Sequence, residues 1–287
     1  MFKRQRTGSV VCASCGSLVG VNDEQCYTCG RRNPGLWGFA PVLRRLGTDF
    51  GFVPLAIYGC VGLYMLSLVV TLITGGNVMG GGLFSLLSPD RFAVMLLGVS
   101  GAYPVFGYGR WWTVLSAGWL HGSALHILFN MMWVRDLGPP VADIYGGARM
   151  VIIYTMSSAC GFLLSSVAGL LPFGPPLGGA PYTLGASAAI FGLLGALVHY
   201  GRRGGSSMIG STALSYAVGM FIFGFIMSGI VDNYAHAGGF AGGYLASVWL
   251  DPLKPERGNH MVVALLCLLA TLLAILASVV STLRLVL

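Results

Sequence analysis

The sequence predicts an all-α polytopic membrane protein preceded by a small zinc-ribbon-like module. Three observations carry this. Only 9% of the 287 residues are charged, against about 25% in a soluble domain, which leaves too few charges to cover a water-facing surface. Hydrophobic residues make up 55% of the chain and its mean hydropathy is +0.78. From about Phe50 onward, apolar segments of roughly 20 residues, the length that spans a bilayer, follow one another.

The first element is residues 1–40, polar and cysteine-rich. "CASCG" and "CYTCG" place Cys12, Cys15, Cys26 and Cys29 as two CxxC pairs, each followed by glycine. Such turns point two thiolates at one ion while backbone amides face the sulfurs. Four thiolates make a closed, structural type of zinc site with no open position for catalysis. Two disulfides or a redox pair would use the same residues, but a cytoplasmic address argues against persistent disulfides. Cys60, Cys160 and Cys267 fall in apolar segments and read as core residues.

The second element, residues 41–287, reads as seven spans at 52–74, 123–142, 148–171, 186–201, 208–230, 233–250 and 261–285. The 44 glycines suit helices that pack through small residues in lipid. No secretory signal precedes the first apolar run. With the N-terminus inside, all of the 16 Lys and Arg except Arg91, Arg110 and Arg284 fall on the inner side. That asymmetry predicts a cytoplasmic N-terminus and a C-terminus on the opposite side; a bacterial inner membrane is the expected address. The net charge of +7 follows these loops and forms no single basic face, so nucleic acid is not an expected partner. The connection 75–122, with "SPDRF" and "YGRWW", reads as a folded structure lying partly in the outer interface.

Ionisable groups inside spans are costly and mark function. "HGSALHILFNMMW" carries His121, His126 and Asn130, "LGASAAIFG" carries Ser187, and "DNYAHAGGFAGGYL" carries His236. The second, fourth and sixth spans run in the same direction. At about 1.5 Å per residue, Ser187 and His236 lie within about a turn of their helix starts and His126 and Asn130 within about two. All four are expected at one depth, near the outer surface. His126 and Asn130 are four apart and share a face. His236, Gly239 and Gly243 share another, where glycine admits a neighbouring helix.

A serine hydroxyl needs a base to become a nucleophile, and acyl transfer needs donors aimed at the developing oxyanion. His236 is the candidate base for Ser187. The Asn130 amide, the His126 N–H and the Ser187 backbone amide are candidate oxyanion donors. Asp232 stands four residues before His236 but is expected at the outer surface, so a Ser–His dyad without a third member is predicted. His121 reads as a structural residue holding the preceding loop. Arg135 and Asp136, in the inner half of the second span, either pair or snorkel to the inner surface.

At these residues the sequence resembles a rhomboid intramembrane serine protease over roughly residues 50–285. "WLHGSALHILFNMMW" is similar to the family's HxxxN motif, "GASAAIFG", with Gly185, to its GxSG motif, and "AHAGGFAGG" to its HxxGxxxG motif. The resemblance implies a six-helix core with a cavity open to the outer side, followed here by a seventh helix. By similarity Ser187 is the nucleophile and His236 the base, His126 and Asn130 assist the oxyanion, and Phe191 packs against the histidine. The fifth helix would act in lateral admission of substrate. The implied substrates are transmembrane helices or juxtamembrane segments of membrane proteins. Ala188 departs from the motif, which has glycine after the serine; the Ser187 amide survives that change.

A proteolytically silent rhomboid-like protein that binds clients is the alternative, against which the retention of Ser187 and His236 argues. A histidine-based transporter is a third reading, and no internal repeat supports it. The cysteine module is expected to recruit a cytoplasmic protein or anionic lipid through its basic flank, Arg31 and Arg32. No cofactor is expected for catalysis, and structural zinc is expected in the module.

Overall fold

The computed structural model describes residues 4–80, 82–174 and 177–286. Lys3, one of the N-terminal basic residues counted above, lies outside them. The cysteine module is a short antiparallel hairpin, β1 (Ser9–Val11) and β2 (Leu18–Gly20), with Val10 opposite Val19. Each CxxC turn is closed by a glycine amide, Gly16 to the Cys12 carbonyl and Gly30 to the Cys26 carbonyl. Both glycines have φ in the left-handed region, +80° and +71°, which a side chain would disfavour.

The short α1 (Ala40–Arg44) leads to α2 (Phe52–Ile73), whose first turn is capped by Asp49 accepting from the Val53 amide at 2.7 Å. The long connection that follows is folded. It contains α3 (Arg91–Leu97), capped by Asp90, and α4 (Thr113–Ser116). Then come α5 (Ala124–Tyr145), α6 (Gly147–Ala168), α7 (Ser187–Arg202), α8 (Ser207–Ile226), α9 (Asn233–Trp249) and α10 (Gly258–Val286). Ser123, Ser206 and Asp232 cap α5, α8 and α9 through their side chains.

Among the described residues, seven long helices, α2 and α5 to α10, coincide with the seven expected segments to within four residues at each end. The largest shift is at the end of α8, where residues 227–230 turn instead of continuing the helix. Four of the seven, α2, α6, α8 and α10, are long and apolar enough to cross a bilayer. The others, α5, α7 and α9, carry Ser187, His236, His126 and Asn130. The physical reason is where they sit. Every residue of α7 from Ala188 to His199 is buried, so this helix faces protein rather than lipid and needs no uniformly apolar surface. At 16 residues it is about 24 Å long, shorter than the roughly 30 Å hydrocarbon core.

The buried centre is α7, wrapped by α5, α6, α8 and α9. α10 lies against α6 and against the folded connection. There the buried Arg110 donates to the carbonyls of Met95 and Ser278, at 3.0 and 2.9 Å, and Trp112 Nε1 donates to Ser278 Oγ. Arg135 and Asp136 are both exposed, and no ion pair joins them among the described residues.

Candidate active site

Residues 183–185 lead into α7 with no regular structure beyond an isolated bridge at Thr183, and Ala186 already has helical φ and ψ. Thr183 exchanges both backbone hydrogen bonds with Ser100, and the Gly185 amide donates to the Ala117 carbonyl. The chain turns into α7 at Ser187, whose amide, in the first turn, has no intrahelical acceptor. Ser187 is half-buried, so its hydroxyl is reachable from one side. His236 sits in the first turn of α9 and is only 6% exposed. Its Nε2 lies 3.0 Å from Ser187 Oγ, within the range for a nucleophile and its base.

For Nε2 to accept the serine proton, the neutral ring must carry its hydrogen on Nδ1. That nitrogen is buried with no partner among the described residues. The ring is oriented instead by Phe191, stacked on it with centroids 4.1 Å apart and planes 15° from parallel. Asp232 takes no part. Its two oxygens accept from the Ala235 amide, as a helix cap, and from Ser165 Oγ at 2.5 Å.

His126 Nδ1 accepts from the Gly122 amide at 3.3 Å. Its hydrogen therefore belongs on Nε2, which faces the backbone of Gly185. A Cβ added there would lie 2.6 Å from Nε2, and Gly185 has φ +122°. The Asn130 amide donates one hydrogen to the His126 carbonyl, 2.9 Å away, and has a second to offer. His121 is buried with its ring edge against His126, centroids 5.2 Å apart. It supports His126 from behind and does not reach the serine's partner.

Small residues bring these groups together. A Cβ on Gly239 would lie 2.8 Å from the Ala188 carbonyl carbon and nearer still to its oxygen. One on Gly243 would meet the backbone of Gly192. The methyl of Ala188 itself is fully buried beside Ala117, Phe162 and Ala235. It fits because the facing residue on α6 is Gly161, whose added Cβ would stand 2.7 Å from it. The sequence patterns did not single out Gly161, nor the Gly122 amide that sets the His126 tautomer.

A family model described as the rhomboid domain matches residues 108–252, half of the chain. The chain belongs to the rhomboid family. The match is narrower than the resemblance by motif. It contains the four site residues and leaves out the cysteine module, α2 and α10. Rhomboid protease GluP of Bacillus subtilis is 32% identical over 162 residues, covering 55% of this chain and 30% of that protein. RHOMBOID-like protein 1 of Arabidopsis thaliana is 29% identical over 183 residues, covering 60% and 43%. RHOMBOID-like protein 7 of the same plant is 32% identical over 168 residues, covering 56% and 49%. The chain thus spans from under a third to about half the length of these curated relatives.

Outside the rhomboid domain, the Sγ atoms of Cys12, Cys15, Cys26 and Cys29 all lie within 4.8 Å of one another. Cys12 and Cys29 are 3.8 Å apart, and Cys15 and Cys26 3.7 Å. Four thiolates at about 2.3 Å from a tetrahedral zinc would stand about 3.8 Å apart, so the cluster fits that ion. The thiols are strongly inequivalent. At Cys15 the Ser17 hydroxyl and amide and the Cys29 and Cys26 thiols outweigh burial and bring the thiol down to about 6. Burial and the crowding of Cys15, Cys26 and Cys12 push Cys29 to about 12. A cation relieves that crowding.

Proposed function

We propose that this rhomboid is an intramembrane serine endopeptidase that cuts transmembrane or juxtamembrane segments of membrane proteins near the outer face, through a Ser187–His236 dyad. The observation that carries the reading is the 3.0 Å approach of His236 Nε2 to Ser187 Oγ, inside a bundle where both stand at the same end of adjacent helices.

In this mechanism His236 Nε2 takes the hydroxyl proton as Oγ bonds to the scissile carbonyl carbon. The resulting oxyanion is met by the Ser187 amide, His126 Nε2–H and the second N–H of Asn130. The imidazolium then gives its proton to the departing amine as the C–N bond breaks. Water, deprotonated by the same histidine, releases the acyl group. The zinc ion would be structural, held by Cys12, Cys15, Cys26 and Cys29, and enters none of these steps.

We assign residues 1–40 to the zinc-ribbon-like module, on the cytoplasmic side, and residues 41–287 to the membrane domain, with the C-terminus on the opposite side. The distribution of basic residues supports this orientation. Ala188 in place of the motif glycine favours one competing reading, a proteolytically silent client-binding rhomboid. The two are separated by incubating the purified protein with a model transmembrane substrate. Cleavage by the wild type that is lost in Ser187→Ala and in His236→Ala is expected. Cleavage that persists in Ser187→Ala sinks the serine mechanism, and none in a folded wild type favours the silent reading.

A further inference from the structure

The sequence suggests a module free to recruit partners. The structure instead seats it on the end of the helical bundle opposite Ser187, and one residue makes the joint. Glu256, in the connection between α9 and α10, is 3% exposed. One of its carboxylate oxygens accepts the Arg149 amide at 3.0 Å, capping the first turn of α6. The other lies 3.5 Å from Nη1 of Arg31, itself 2% exposed. Ser14 Oγ and Arg31 Nη1 also donate to the Glu256 carbonyl, each at 3.4 Å. Room for the carboxylate exists because residue 146 is glycine; a Cβ there would stand 2.7 Å from it. The Arg149 guanidinium in turn donates to the carbonyls of Leu250 and Asp251, at 2.7 and 2.9 Å, where α9 ends.

The joint is poised to open. Arg31 Nε and Nη2 are buried without partners among the described residues. A buried pair this incompletely satisfied gains little net stability, and separation returns both charges to water. What favours the joint is that Arg31 is presented ready-made. It stands two residues past Cys29, its carbonyl accepts the Cys26 amide at 2.9 Å, and Gly30 closes the same turn. That turn belongs to a module too small to hold itself together without an ion. A cavity of about 570 Å³, lined by Cys15, Asp143, Arg149, Lys254 and Glu256 among others, runs beside the joint. It gives solvent and small chelators a path to the thiolates.

We propose that the cysteine module is a metal-dependent clamp, in which the thiolate-ordered turn seats Arg31 on Glu256 and so holds residues 250–257 against α6 and the end of α9. The test is hydrogen exchange on the full-length protein in detergent, zinc-loaded and chelator-treated, with bound zinc counted in parallel. Chelation is expected to speed exchange across residues 250–257 by about tenfold while the centre of α7 stays protected. Arg31→Ala that keeps its zinc should do the same, and so should Glu256→Gln, which leaves the module's own residues intact. The clamp is refuted if emptying the module of zinc leaves exchange at residues 250–257 within about twofold, or if both single variants retain full protection with zinc bound. The readout is exchange, so the result stands whether or not the protein cleaves substrates.

Discussion

Gly239→Ala is the sharpest probe of how the bundle sets the dyad. The new Cβ would lie 2.8 Å from the Ala188 carbonyl carbon and 3.0 Å from its Cα, with the carbonyl oxygen closer than either. These are backbone atoms of α7, so no side chain can rotate away. Restoring the carbon contact to an ordinary 3.4 Å separates α9 from α7 by at least about 0.6 Å, and the oxygen demands more. Ser187 Oγ and His236 Nε2, 3.0 Å apart on these two helices, then stand at about 3.6 Å or beyond, which is no longer a hydrogen bond. Loss of a positioned base costs roughly 10²–10⁴-fold in rate, while overpacking costs about 1–3 kcal/mol in stability. The assay is cleavage of a transmembrane substrate in liposomes, with a thermal melt on the same preparation. Gly62→Ala on α2 is the control, since its Cβ meets nothing within 4 Å; it should leave activity unchanged and raise stability by about 0.5–1 kcal/mol. A folded Gly239→Ala protein with cleavage within about threefold of wild type would refute the link between helix approach and the dyad.

Ala188→Gly, which restores the motif glycine, is expected to lose about 1–2 kcal/mol of stability, from one buried methyl and added helix entropy, without raising cleavage more than a few-fold; a large gain in rate would show that the methyl obstructs the site. Phe191→Leu should lower kcat by roughly tenfold or more with little change in KM, because the histidine ring loses its stacking surface while the base itself remains; an equal effect from Phe191→Tyr would point to general destabilisation instead. Acidification should release zinc. Protons compete for the thiolates, and burial and neighbouring thiols favour the protonated form of Cys29, pushed up to about 12, so affinity falls as pH falls; a chelator competition that gives the same affinity at pH 7.5 and pH 5.5 would contradict the four-thiolate site.

The helices and the motif residues were legible because each rests on local pattern. Apolar length marks a span, and spacing of three, four and seven marks a shared face, so His236, Gly239 and Gly243 could be placed on one side of α9 before any contact was known. The connection 75–122 showed itself as folded through its aromatic residues, but its tie to α10 did not. Arg110 and Ser278 are far apart in sequence, and nothing local in either announces the other. The same holds for Arg31 and Glu256. A lone glutamate in the polar connection "DPLKPERG" reads as solvated, and only the docked module buries it. Gly161 was hidden for a different reason. In "SSACGFLLSSVA" it is one small residue among many on an apolar span, and its role becomes visible only with Ala188 opposite it.

That pairing bears on the departure from the family motif. A methyl after Ser187 would be expected to force α7 away from its neighbours, yet Ala188 is fully buried without displacing Ser187 from His236. The accommodating space lies on α6, and the close approach on α9 is preserved separately by Gly239 and Gly243. Both contacts fall on Ala188, its methyl against Gly161 and its carbonyl against Gly239, so α6 and α9 close on the same turn of α7. The orientation of the base is handled in a similarly distributed way. In a serine triad a carboxylate fixes the tautomer and angle of the histidine. Here the nearest carboxylate in sequence, Asp232, caps α9 and holds Ser165, while Phe191, one turn past Ser187 on the same helix, stacks on the imidazole. A single helix thus carries both Ser187 and the ring that stacks on His236, one turn apart.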